Sequence, residues 1–181
     1  MAPKMKKTKR AFTIWLTGLP GSGKTTLATL LQKKLARDGR LVEVLDGDVL
    51  RAGWCADLDF SKKDRFRNIS RAAGFARLLN DSGVIVVVAL VSPFRAARAQ
   101  ARKRIRRFFE VYVDCPIEIC QARDPKGLYA RAARGKLPNL TGVGGYYEAP
   151  SRPDSRLKTS RWTKKICLEK ILSKLKVKKI L

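Results

Sequence analysis

Gly18, Leu19, Pro20, Gly21, Ser22, Gly23, Lys24 and Thr25 fill every position of the phosphate-gripping pattern G-x-x-x-x-G-K-[ST]. Glycines let such a loop turn its backbone N–H groups toward phosphate oxygens. The helix expected after it presents its positive end, and Lys24 adds a full charge. The Thr25 hydroxyl suits Mg²⁺, and Thr26 continues the same helical turn. The chemistry implied is binding of a nucleoside triphosphate with its Mg²⁺. Further on, Asp46 and Asp48 flank a glycine. One carboxylate can support Mg²⁺ while the other meets an acceptor hydroxyl. Asp-Gly-Asp is also ordinary turn chemistry, and which Asp takes which role stays open. Arg51 lies within reach of an anionic substrate bound there.

These residues need a scaffold that aims them together, and the hydrophobic pattern supplies one. Phe12–Thr17 reads as a strand entering the loop, and Thr25–Ala36 as a helix leaving it, with Leu27, Leu30, Leu31 and Leu35 on one face. Leu41–Leu45 reads as a strand, Lys62–Asp81 as a helix, and Val84–Leu90 as a fully buried strand. A strongly basic helix is expected over Arg95–Arg107, a strand over Phe109–Val113, and a helix from Pro116 to Arg123. Residues 126–150 are Gly-rich, basic and irregular, as a mobile lid would be, and Trp162–Lys176 reads as a closing helix. Strands alternating with helices predict an α/β fold of three layers around a parallel sheet. Ligands then bind at the carboxyl ends of the strands, where the motifs fall.

Composition sets the outer limits. The 181 residues suit one domain, from residue 11 onward, after a basic arm at Met1–Arg10 that carries five cations. The apolar run Val84–Val91 is too short to span a bilayer, and no apolar core follows the basic start as in a secretory signal. Cys55, Cys115, Cys120 and Cys167 lack zinc-ligand spacing, so reduced thiols in a cytoplasmic protein are expected. There is no histidine, so no imidazole can act as general base. Forty Lys and Arg against fifteen Asp and Glu give a net charge of +25, far more than a triphosphate site needs. Solvated basic faces explain this simply, and nonspecific binding of polyanions is the sharper reading.

Several longer segments carry a resemblance. They are Leu45-Asp-Gly-Asp-Val-Leu-Arg51, Asp57-Leu-Asp-Phe-Ser61, Asp64-Arg65-Phe-Arg-Asn68 and Val91-Ser-Pro-Phe-Arg95. Phe109–Asp114, Arg123-Asp-Pro-Lys-Gly-Leu-Tyr129, Thr141-Gly142 and Tyr147-Glu-Ala-Pro150 follow in order. Together they closely resemble the adenylylsulfate kinase (APS kinase) family, from about Phe12 to Thr159. The resemblance implies a P-loop kinase domain over residues 11–181 with a lid over about 124–150. It would transfer the γ-phosphoryl group of ATP to the 3′-hydroxyl of adenosine 5′-phosphosulfate in sulfate assimilation. It implies that Arg51, Arg65 and Asn68 contact the sulfonucleotide and that Phe60 is a platform for its adenine. It makes Arg123 and Lys126 cations of the ATP site and lid, and marks Ser92 as a phosphoserine position. Ser92 could equally be an ordinary turn residue before Pro93. The sequence leaves open both an ATP sulfurylase partner and a homodimer.

The chain departs from the family pattern at Arg67, Ser70, Leu140, Gly144 and Gly145. Leu140 stands where the family has Phe, which leaves one side of an adenine sandwich aliphatic. Two rival readings remain at this stage. One is a kinase for another small molecule; the other is a basic nucleic-acid-binding protein with weak or no kinase activity.

Overall fold

The computed structural model describes residues 10–181. The arm expected at Met1–Arg10 therefore lies outside the described residues, apart from Arg10. Five strands form one sheet: β1 (Thr13–Thr17), β2 (Val42–Asp46), β3 (Ile85–Ala89), β4 (Phe108–Asp114) and β5 (Ser155–Lys158). All pair in parallel, in the order β2-β3-β1-β4-β5. Seven helices among the described residues connect and flank the sheet: α1 (Lys24–Arg37), α2 (Gly47–Ala52), α3 (Lys62–Asp81), α4 (Arg95–Arg104), α5 (Ile117–Arg123), α6 (Leu128–Ala133) and α7 (Lys164–Val177).

The period-2 alternation of strands builds two cores. Ile14, Leu16, Val87, Phe109 and Val111 face α1 and α7, where Leu31, Leu35, Ile171 and Leu175 are fully buried. Trp15, Val86, Val88 and Phe108 face α3 and α4, where small residues Ala72, Ala73, Ala76, Ala97 and Ala101 admit close packing. The expected three-layer α/β fold with a parallel sheet is thus the observed one. No helix among the described residues is long and apolar enough to cross a membrane.

The boundaries differ where local chemistry overrides the apolar pattern. The basic helix ends at Arg104, because Ile105 and Phe108 turn into the core. The closing helix begins at Lys164, capped by Thr163, whose hydroxyl accepts from the Ile166 N–H; Trp162 precedes it. The Asp-Gly-Asp turn opens a short helix, α2, because Asp46 caps it by accepting from the Asp48 N–H. The segment expected to be irregular contains α6 and then a tight turn bridged between Thr141 and Gly145.

Candidate active site

The phosphate loop lies between β1 and α1 and owes its shape to glycine. Gly21 and Gly23 have φ of +74° and +100°, in the left-handed region. A Cβ on Gly21 would also sit 2.9 Å from the Cys120 carbonyl oxygen. The loop is braced from outside. The Tyr129 hydroxyl donates to the Pro20 carbonyl at 3.0 Å, and the Thr159 hydroxyl donates to the Ser22 carbonyl at 3.0 Å. Neither brace is legible from the motif, although Tyr129 lies in the Arg123–Tyr129 segment.

Lys24 folds back over the loop and donates to the carbonyls of Gly18 (2.9 Å) and Leu19 (2.7 Å). It is buried, and burial pulls its amine down from 10.5 to about 8, against the opposing pull of Cys120 and Asp46. The Thr25 hydroxyl donates to Asp46 Oδ2 at 2.7 Å. The other Asp46 oxygen accepts from the Asp48 N–H at 3.0 Å, so the N-cap fixes the carboxylate toward Thr25. This hydroxyl–carboxylate pair fits Mg²⁺, which keeps several waters and shares phosphate oxygens. No cluster of three His, Cys, Asp or Glu able to hold a metal occurs among the described residues. Asp48 is exposed and ion-pairs with Lys126 from the segment expected to be a lid.

A cavity of about 1240 Å³ runs from this loop to a second group of residues. Arg51 and Arg65 approach the exposed ring of Phe60 with their guanidinium carbons 4.2 Å and 5.5 Å from its centroid. Arg51 donates to the carbonyls of Leu58 and Asp59. Arg65 donates to the Phe60 carbonyl, to the Thr141 hydroxyl at 2.9 Å and to the Asn139 carbonyl at 2.7 Å. Neither arginine forms an ion pair with a carboxylate among the described residues, and burial lowers the pKa of each. Asn68 lines the cavity, is 5% exposed, and has no side-chain hydrogen-bond partner among the described residues. Two guanidiniums outside any ion pair, an aromatic face and an unpartnered carboxamide are chemistry suited to an anionic nucleotide.

The remaining expected residues fall around the same cavity. Thr26 and Arg123 line it, and Arg123 donates to the Thr159 carbonyl at 2.8 Å. Leu140 lines it too, but also packs with Leu19 and Ile117 against Cys115, Cys120 and Tyr129. Gly144 explains one departure: a Cβ there would lie 1.8 Å from the Pro138 carbonyl oxygen, so the turn as built admits only glycine. Ser92 is 3% exposed with φ +42°, and its hydroxyl accepts from Trp15 Nε1 at 2.9 Å while donating to the Leu90 carbonyl. Arg98 beneath it was not anticipated. Its buried guanidinium donates to the Ser92 carbonyl (2.6 Å), the Glu148 carbonyl (2.6 Å) and Glu110 (2.9 Å).

A parallel sheet with this loop at the end of its central strand, opening onto a cavity that also holds Arg51, Phe60 and Arg65, is the architecture of P-loop kinases. The profile of the family described as Adenylylsulphate kinase matches residues 10–158. The adenylyl-sulfate kinase of Burkholderia ambifaria is 47% identical over 171 residues, covering 93% of this chain and 94% of that protein. That of Clostridium acetobutylicum is 46% identical, covering 98% and 89%. Among solved structures, the Mycobacterium tuberculosis APS kinase in complex with AMPPNP and APS superimposes with a TM-score of 0.89. It is 42% identical and covers 92% of this chain and 98% of that one. The chain belongs to the adenylylsulfate kinase family.

Proposed function

We infer that the chain transfers the γ-phosphoryl group of ATP to the 3′-hydroxyl of adenosine 5′-phosphosulfate, giving 3′-phosphoadenosine 5′-phosphosulfate and ADP. The observation that carries this reading is the pairing of a complete phosphate loop with Arg51, Phe60, Arg65 and Asn68 across one cavity. The loop amides and Lys24 hold the β- and γ-phosphates, with Gly18–Thr26 forming the cradle. Thr25 and Asp46 would hold Mg²⁺, which supplies positive charge to the phosphates when bound. Asp48, freed from Lys126 when substrates enter, orients or deprotonates the 3′-hydroxyl. Catalysis is positioning and charge neutralisation, with no covalent intermediate required.

Arg51 and Arg65 bind the phosphosulfate, Phe60 stacks on the adenine, and Asn68 donates or accepts at the nucleotide. Arg123 and Lys126 assist at ATP as the segment carrying Asn139 and Thr141 closes. We assign Ser92 to the support of this site: its hydroxyl is committed to Trp15 and Leu90, and its carbonyl to Arg98. Leu140 is assigned to lid packing along with its cavity-facing edge. Four buried free thiols fit a reducing compartment, the cytoplasm. Coupled ADP release from ATP and Mg²⁺, measured with adenosine 5′-phosphosulfate, gluconate, shikimate and adenosine monophosphate as acceptors, tests the assignment. Stimulation by the sulfonucleotide alone supports it; equal or greater stimulation by another acceptor contradicts it.

A further inference from the structure

The phosphates of two nucleotides account for few of the forty Lys and Arg residues, and several of the rest sit at the ends of α4 and α7. In a parallel sheet whose helices return antiparallel, the helix C-termini gather at the amino edge of the strands, opposite the active site. There Arg107, at the start of β4, donates to the carbonyls of Arg10, Lys179 and Ile180. It rivets the entry to β1, the α4–β4 turn and the end of α7 into one surface. Arg102 and Lys178 on this surface are neutralised by Glu110 and Asp154. Lys103, Arg106, Lys174, Lys176 and Lys179 are exposed and ion-pair with no carboxylate among the described residues.

Helix dipoles explain only part of this. A cation in the last turn favours a helix, but one or two residues per helix suffice for that. The surplus raises mutual repulsion, which a bound polyanion would relieve. The surface also says which polyanion. Within these segments Val177 is the large apolar side chain that is strongly exposed, and no aromatic ring is offered. Bases of a single strand would find no stacking platform, and a bilayer would find no apolar wedge. Phosphates displayed on a rigid backbone match it best.

We propose that the amino edge of the sheet, formed by the ends of α4 and α7, is a sequence-independent docking surface for the phosphate backbone of duplex nucleic acid. Docking there leaves the active site open, because the two lie at opposite ends of the strands.

Fluorescence anisotropy with a labelled duplex of about 30 base pairs, across salt concentrations from about 50 to 200 mM, tests this. Each phosphate contact adds about 0.9 to the slope of log affinity against log salt. The quadruple variant Lys103→Gln, Arg106→Gln, Lys174→Gln, Lys176→Gln should bind at least tenfold more weakly at the lowest salt. Its slope should be shallower by about 3 to 4. The single reversal Lys176→Glu should weaken binding in the same direction, and circular dichroism and kinase turnover of both variants should match the parent. Saturating ATP should not displace the duplex. The proposal is overturned by an unchanged slope in the quadruple variant, by displacement with ATP, or by absence of parent binding at the lowest salt. Binding to phosphatidylserine–phosphatidylcholine vesicles in place of the duplex overturns it as well. The outcome is independent of which acceptor the kinase uses.

Discussion

Lys126 and Asp48, far apart in sequence, form an ion pair across the mouth of the cavity. The segment from Lys126 to Pro150 therefore touches the first turn of α2 through charge. The same segment is tied to α3 by Arg65, through Asn139 and Thr141. If Lys126 serves the substrate anions as proposed, they compete with Asp48 for it, and substrate binding would release that carboxylate.

Asp48→Asn should lower kcat by about 10²–10³, within the range for removing a group that acts on the reacting hydroxyl. The KM for ATP should stay within about threefold, because Thr25 and Asp46 remain intact. Steady-state kinetics with each substrate varied decides it. A kcat near the parent value would transfer the role to Asp46.

Lys24 gives a pH signature. Its amine sits near 8 in the free protein because burial disfavours the charged form. An unfolded chain holds that proton up to about 10.5, so between these values the folded state binds fewer protons. The cost of a buried charge is therefore fully present below about pH 8 and fades as pH rises toward 10.5. Bound triphosphate favours the charged amine, so calorimetric affinity for a nonhydrolysable ATP analogue should fall as pH rises above about 8. Lys24→Met should abolish turnover and raise Tm by about 2–4 °C at pH 7, the shift expected for roughly 1 kcal/mol. A lower Tm in that variant would refute the buried-charge argument.

Arg65→Ala should raise the KM for the sulfonucleotide about tenfold to a hundredfold, from the roughly 1.5–3 kcal/mol of a charged hydrogen bond. The KM for ATP should change far less. Because Arg65 also holds Asn139 and Thr141, proteolysis within residues 134–145 should accelerate in the variant. Equal effects on both KM values would indicate a purely structural role.

Much of this was legible in the sequence because apolar periodicity and the loop motif are local. β1, α1, β2, α3 and β3 follow from unbroken patterns, and the loop, Asp46 and Arg65 fall at their termini. β5 was not legible: Ser-Arg-Leu-Lys is short, and Leu157 is its one buried apolar side chain. Arg98 was hidden for a different reason. It belongs to a helix whose other arginines are mostly exposed, and its burial depends on Glu110 from a distant strand. The signal was present in two places. Arg98 shares a helix face with Ala101, and Glu110 interrupts the run of apolar and aromatic residues from Phe108 to Val113.

Arg98→Met should be strongly destabilising, because it removes a buried pair and two carbonyl contacts. Breaking a buried ion pair costs about 3–5 kcal/mol, which corresponds to a fall in Tm on the order of 10 °C. The partial charge balance that Arg102 gives Glu110 places the effect toward the lower end. Thermal unfolding of the variant alongside Arg98→Lys checks this, with Lys restoring part of the loss. A shift below about 2 °C would show that the network adds little.

Transfer of label from γ-³²P ATP tests the central claim most directly. With adenosine 5′-phosphosulfate as acceptor, the label should appear on the 3′-oxygen of the sulfonucleotide. ADP should form in equal amount, and removal of Mg²⁺ should stop the reaction. Label appearing only as inorganic phosphate, or on another acceptor in preference to the sulfonucleotide, would contradict the account.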